Sequence, residues 1–413
     1  MVPGADVRIY EAGSRPLAKL ALTGGGRCNL TNTFEEVSDL RRVYPRGSVF
    51  MKRALKEFGP EDTARWFRDR GVRLKVEDGG RVFPESDDAL EIVGTLLDAV
   101  SGASIVCGKR ISAGDLPEDG PVVVTTGGGG GMEVLRGLPV DVVPPVPSLF
   151  SFNIEADAGG SMAAPSAEKC SGGRMLPSGR SKPVPVAEKS SGGRMLPPGE
   201  TVPTGRPIKE LMGISVEAEL SIPGTEFRSG GALLITDWGF SGPAALRLSS
   251  YAARHLAQSS YKSPLSVNWT ALPPETVRRT LVELRGSEAR RQVKSSHPFG
   301  LPGRLWEYLV LRSGVDPSCN WASLGNRGLD ALTAVLSGDS YYISGKTRFR
   351  DEFVTCGGVA LDSVNLSSLE CRRRKGLFFA GEVLDIDAVT GGFNLQAAWT
   401  TAYMAAKTIA SYL

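Results

Sequence analysis

Short apolar runs alternate with amphipathic stretches through the first part of the chain. Residues 7–10 (VRIY) are a run of β-formers and predict a short strand that ends on an acid, Glu11. Residues 61–70 put Ala64 and Phe67 on one stripe with Val72, and Pro60 and Asp62 sit at the start, which predicts a helix. Residues 74–83 predict a hairpin turning at Asp78-Gly79-Gly80. Residues 87–100 have helical spacing with Asp87 as the cap. Strands are predicted at 104–107 and 122–125, and the second runs directly into Thr126 and five glycines, 127–131. Strands that alternate with helices and end in glycine loops predict an α/β domain with a largely parallel sheet.

From about Val143 the pattern changes to short alternating strands without a strong helix, with further strands at 214–222 and 231–236. Residues 273–338 read as mostly helical, with runs at 274–284 and 329–336. The end returns to α/β, with strands at 353–354, 359–361 and 377–380 and a closing helix over 393–410. The expected organisation is therefore a discontinuous nucleotide-binding domain (1–142 and 341–413) interrupted by a β-rich domain (143–270) and a helical one (271–340). A tandem repeat lies inside the β-rich part: AEKCSGGRMLPSG at 167–179 recurs as AEKSSGGRMLPPG at 187–199. Two copies do not make a solenoid. The Ser, Gly, Pro and Lys content of 165–200 predicts a flexible insertion, with a basic docking arm as the alternative.

Composition narrows the function classes. The chain has 413 residues, 48 Lys plus Arg against 45 Asp plus Glu, and a formal net charge of +3. That balance provides no strong electrostatic footprint for nucleic acid or a membrane surface, so a small-molecule substrate is expected. Two histidines, His255 and His297, are too few for a His-rich metal site, and no metal is expected. The six cysteines (28, 107, 170, 319, 356 and 371) form no C-x-x-C, which fits a reducing compartment and a cytoplasmic location. No apolar run reaches the ~18–20 residues of a membrane span.

Five segments carry candidate chemistry. Glu11, after a strand, has the placement of an acid that accepts both hydroxyls of a ribose, or is an ordinary turn acid. Residues 23–32 (TGGGRCNLTN) bring three glycines whose N–H groups can approach an anion, with Arg27 beside them able to face a phosphate. Cys28 has no resolving cysteine nearby and reads as a small buried thiol. Thr126 and the glycines after it offer a second close approach, or a slack linker. Residues 376–395 (GLFFAGEVLDIDAVTGGFNL) take a buried strand to Gly381-Glu382, then through Asp385 and Asp387, and open a helix at Gly391-Gly392, where exposed N–H groups favour negative charge. A metal held by Glu382, Asp385 and Asp387 is an alternative. In the loop 236–243 (TDWGFSGP), Trp238 and Phe240 either line a substrate pocket or form a hairpin.

In this order, TGGGRCNLTN, TDWGFSGPA, VTCGGV and GLFFAGEVLDIDAVTGGFNLQAAW resemble the BaiN/RdsA-type family of NAD(P)/FAD-dependent flavoprotein oxidoreductases, which includes a bile-acid reductase. The resemblance runs from about Val7 to Ala410. It implies a Rossmann-like FAD-binding fold of the two-dinucleotide-binding-domain type with inserted domains. It also implies FAD as cofactor and NAD(P)H as the hydride donor to an unsaturated organic substrate. Carried over by position, Glu11 holds the adenosine ribose, and Thr126 and Gly127 sit near the adenosine half. Lys19, Gly24, Gly25, Gly26, Arg27, Cys28 and Asn29 flank the cofactor. Gly381, Glu382, Asp385, Gly391, Gly392, Phe393 and Asn394 hold the ribityl and flavin end. No acid–base residue is singled out. The family opens with an apolar strand and G-x-G-x-x-G, and no such motif follows a strand here. The expectation is that ~20–25 further residues of a strand–helix unit precede the start; the alternative is a cofactor-deficient relative that acts as a binding protein.

Overall fold

A computed structural model describes residues 5–155, 207–346 and 354–412. The repeat at 167–199 lies outside the described residues. The chain opens with β1 (Arg8–Tyr10) and α1 (Ala18–Leu22). The glycine turn then leads to β2 (Thr31–Asn32), followed by α2 (Ser48–Ala54) and α3 (Pro60–Arg68). Pro60 opens α3, and the Asp62 carboxylate accepts from Gly59 N at 2.9 Å, so the first turn of α3 is capped as its sequence predicts. The predicted hairpin forms: β3 (Leu74–Glu77) and β4 (Arg81–Pro84) pair antiparallel about Asp78–Gly80, and β4 also pairs with β2.

Helix α4 (Ala89–Ala99) is capped by Asp88, whose carboxylate accepts from Leu90 N at 2.8 Å. The expected cap, Asp87, instead turns at a positive φ of 54° and holds Arg27 and Lys75. The strands β5 (Ser104–Val106), β6 (Val122–Val124) and β7 (Val142–Ser148) follow.

Among the described residues of the insertion, six strands close into an antiparallel barrel: β8 (Phe152–Ile154), β9 (Ser215–Ser221), β10 (Arg228–Ile235), β11 (Gly239–Ser241), β12 (Ser263–Asn268) and β13 (Asp339–Lys346). Five helices accompany it: α5 (Gly242–Tyr251), α6 (Ala253–Gln258), α7 (Pro274–Ser287), α8 (Gly303–Arg312) and α9 (Asn326–Gly338). The sequence separates a β-rich from a helical domain, whereas one core runs through both, joining Phe152, Phe240 and Trp269 of the barrel to Trp306 and Trp321 of the helical part. The physical reason is that each helix has one apolar stripe and covers it most economically against the barrel. Phe240 is fully buried, edge-on to Trp269 and Tyr341, so it is a core residue and not a pocket wall. The pattern from Val143 onward also conceals α5 and α6, whose small residues Ala244, Ala245, Ala252 and Ala253 pack without a strong helical stripe.

The chain returns through β14 (Val354–Val359), β15 (Leu377–Phe379) and α10 (Phe393–Ala410). β14 joins what the sequence reads as two short strands. It is buried along its length and pairs antiparallel with β7 across a register shift at Cys356/Gly358. A Cβ on Gly358 would lie 2.4 Å from Val383 O, so only glycine allows this approach. The parallel strands form two pairs, β1 with β5 and β6 with β15. No described strand joins the pairs, and Val7, Tyr10 and Val123 are exposed there. No helix among the described residues is long and apolar enough to cross a membrane.

Candidate functional site

The glycine turn and the start of α10 meet, although more than 360 positions separate them. Gly24 has φ 59°, and a Cβ there would press on Asn29 N at 2.9 Å, so the turn folds tightly back on Asn29. The Asn29 amide spans to the helix start: in the orientation that satisfies both of its ends, its oxygen accepts from Gly392 N and its nitrogen donates to Thr31 O, each at 3.1 Å. Asn32 Nδ2 donates to Gly391 O at 3.1 Å and to Gly79 O at 2.8 Å. Gly392 has φ 89°, and a Cβ on it would sit 2.2 Å from Thr31 O. Below this contact Gln396 is buried and accepts from Thr31 Oγ1 at 2.5 Å and from Thr63 Oγ1 at 2.9 Å.

The Glu382 carboxylate forms a second junction. It takes Lys19 Nζ at 2.8 Å on one oxygen and Thr355 N at 2.8 Å on the other, so α1, β14 and the end of β15 are tied together. The backbone after β6 lies against the same carboxylate: a Cβ on Gly127 or Gly128 would be 3.6 or 3.2 Å from it. Glycine 128 is also pressed on Thr355, and Gly131 on Thr126 O, so this part of the glycine run is packed rather than slack. Further out, Arg110 reaches Gly130 O at 3.4 Å from the end of β5, where Lys109 N donates to Glu11 O. Glu11 accepts from Gly13 N at 2.6 Å through one carboxylate oxygen; its other oxygen has no partner among the described residues.

The remaining predicted residues have firm assignments. Arg27 commits its guanidinium to Asp87 (Nε at 2.8 Å) and to Glu77, and lies 4.3 Å over the Phe83 ring. Its hydrogen bonds hold the Glu77 carboxyl below the usual carboxylate range, and Lys75, then Arg27, do the same for Asp87. Cys28 is buried at φ 58°, and burial pushes its thiol up to about 11. Asp385 pairs with Arg254 at 2.8 Å. Phe393 packs into the core edge-on to Phe34. Asn394 turns back, accepting from Ala388 N and donating to Ala388 O, each at 2.9 Å. Gly25 and Gly26 face open space within 4 Å of where a Cβ would be. Glu382, Asp385 and Asp387 thus face three different cations: Lys19, Arg254 and Arg46.

This chain matches the HI0933-like protein Rossmann domain over residues 2–408. It belongs to that family. Within this family of Rossmann-type flavoprotein oxidoreductases, curated relatives align across almost the whole length. A ribosomal RNA dihydrouridine synthase of Escherichia coli is 27% identical over 98% of this chain and 92% of that protein. A 3-dehydro-bile acid delta(4,6)-reductase of Clostridium scindens is 26% identical over 98% of this chain and 93% of that protein. A second ribosomal RNA dihydrouridine synthase, of Haemophilus influenzae, is 24% identical over the same shares.

Several residues at the site escape the sequence. Arg46 donates to both oxygens of buried Asp387 and to Ser250 O at 2.7 Å, which ties the loop before α10 to α5. Tyr44 OH donates to Phe393 O at 2.8 Å. Their partners lie hundreds of positions away, and neither falls in a recognisable motif. Gln396 and Thr31 lie within the two glycine-bearing motifs, but nothing local points to their bond.

Proposed function

We propose that the protein is an FAD-dependent oxidoreductase that passes hydride from NAD(P)H to an electron-poor carbon–carbon double bond. The observation that carries it is the contact of the turn at Gly24–Asn29 with the α10 start through Asn29 and Gly392. Glycine approaches at 127–128, beside Glu382, and the open oxygen of Glu11 extend this into one elongated series. Such a series fits a long, doubly phosphorylated dinucleotide: an acid at one end for a ribose diol, and at the other a helix N-terminus favouring negative charge. FAD supplies hydride acceptance from a nicotinamide and hydride donation to a conjugated double bond. Glu11 would hold the adenosine ribose, Lys19 and Glu382 would fix the middle of the series, and the amides at Gly392–Asn394 would meet the flavin end. Arg27 would brace the turn through Glu77 and Asp87 rather than bind a phosphate. The similarity to these relatives supports the reaction type, since both a dihydrouridine synthase and a delta(4,6)-reductase saturate a ring double bond conjugated to a carbonyl.

The purified protein is expected to be yellow, or to turn yellow with added FAD, and to oxidise NAD(P)H with an artificial acceptor. A protein that stays colourless with FAD would overturn the proposal. One observation favours a second reading, a cofactor-deficient binding protein: no strand among the described residues joins the two parallel strand pairs. In that case NAD(P)H oxidation is absent, and deleting residues 165–200 removes partner binding.

A further inference from the structure

Helix α10 buries an amide in its second turn. Within Phe393–Trp399 the buried residues are Phe393, Gln396 and Ala397, and Gln396 is wholly inaccessible. All four hydrogen-bonding positions of its side chain are used. Gln396 Oε1 accepts from Thr31 Oγ1 at 2.5 Å and from Thr63 Oγ1 at 2.9 Å. Its Nε2 donates to Thr400 Oγ1 at 3.0 Å and to Phe58 O at 3.4 Å. A backbone carbonyl only accepts, so the end of the amide that faces Phe58 must be the nitrogen. Thr31 belongs to β2, Thr63 to α3 and Phe58 to the loop before α3. One side chain therefore ties three separate segments to the start of α10.

Burying an amide costs free energy that its hydrogen bonds largely give back, so the net gain is small. A methionine of similar size would fill the same space without those demands. What the amide adds is direction. Thr31 O lies 2.2 Å from where a Cβ on Gly392 would be, so β2 and the α10 start are in their closest contact at this point. Gln396 N donates to Gly392 O at 3.0 Å, which closes the first turn of α10. The same residue thus holds Gly392 through its backbone and Thr31 through its side chain. Three positions on, Trp399 Nε1 donates to Leu30 O at 3.0 Å from the same face of the helix. No side chain caps α10, so the N–H groups of its first turn take no capping bond.

We infer that Gln396 is a positioning residue: its amide locks the start of α10 onto the strand that follows the glycine turn, and so presets the cofactor seat. The cofactor part rests on the FAD reading above. Thr31 and Thr63 provide the discriminating test, because both donate to the same buried oxygen and only Thr31 belongs to the segment that touches Gly392. The full chain and its variants are titrated with FAD, with flavin fluorescence as the signal. Amide hydrogen exchange over residues 391–395 is followed without FAD. Thr31→Val and Thr63→Val each remove one hydroxyl at nearly constant volume, so their melting temperatures should fall by similar amounts. Thr31→Val should raise the Kd for FAD about tenfold, as the loss of one well-placed hydrogen bond does. It should also speed exchange over 391–395. Thr63→Val should change both by less than about twofold, well within the value of one such bond. Gln396→Met should exceed Thr31→Val in both readouts; should it not fold, the threonine pair decides. Equal effects of the two threonine variants would make Gln396 a structural residue only and overturn the inference, as would unchanged exchange and affinity in Thr31→Val. The exchange readout needs no flavin. A protein that takes up no FAD, yet whose exchange separates Thr31→Val from Thr63→Val, keeps the lock and loses the redox reading; a yellow protein without that separation does the reverse.

Discussion

At Gly392 a single hydrogen atom decides whether two distant segments can touch. Its φ of 89° is a left-handed value, and any Cβ would collide with Thr31 O. Strain of this kind costs ~1–3 kcal/mol before the clash is counted. Gly392→Ala is expected to lower the urea midpoint by that order and to weaken FAD retention; unchanged values in both would show that the contact carries nothing. Cys28 is the opposite case, a residue whose surroundings silence it. Burial raises its thiol to about 11, and Cys107 is exposed. Native alkylation near pH 8 should therefore label Cys107 quickly and Cys28 only on unfolding, as peptide mass analysis would show. The glycines were legible in the sequence because a pair of them before a helical run has few other uses. Arg46 was not legible, because its meaning comes from Asp387, 341 positions away.

At the scale of elements, the hairpin β3–β4 and the turn before β2 are coupled through Arg27. Glu77 and Asp87 have carboxyls held below their ordinary range in the folded protein, by Arg27 and by Lys75 with Arg27. A depressed folded value means that the unfolded chain takes up protons first. The contribution is present above about pH 4 and is lost as pH falls through the depressed values. Melting temperature should thus fall more steeply below about pH 4 in the native protein than in Glu77→Gln/Asp87→Asn; parallel curves would count against this coupling. In the barrel, Arg312 Nε donates to Asp339 at 2.6 Å and Trp269 Nε1 to the same carboxylate at 3.1 Å, all buried. Asp339→Asn removes the carboxylate charge that faces the buried Arg312 guanidinium, and chemical denaturation should show a loss of about 3–5 kcal/mol. A loss near zero would mean that water reaches Arg312.

For the whole molecule, the barrel unit and the nucleotide unit are linked by Arg46 with Ser250, Arg254 with Asp385, and Tyr251 OH with Arg42 O at 2.8 Å. These links hold the barrel against the loop that carries Asp385 and Asp387, just before α10. Replacing Arg46 with Met removes a cation from buried Asp387. It should lower stability by about 3 kcal/mol and also reduce FAD content, measured by visible absorbance per chain. A loss of stability with full FAD content would confine Arg46 to the domain junction.

The sequence alone determined the local elements and the places where backbone must come close. Helical stripes, the Asp78–Gly80 hairpin and the glycine motifs are short-range patterns, and each is a statement about neighbours in the chain. The closing helix over residues 393–410 appeared where its periodicity put it. Tertiary structure decided what those places touch. Barrel closure, the core shared by strands and helices, the diversion of Arg27 to Glu77 and Asp87, and the pairing of Arg46 with Asp387 all depend on contacts between residues far apart in sequence. Such contacts form only when burial brings unlike segments together, and a linear pattern does not encode which segments those will be.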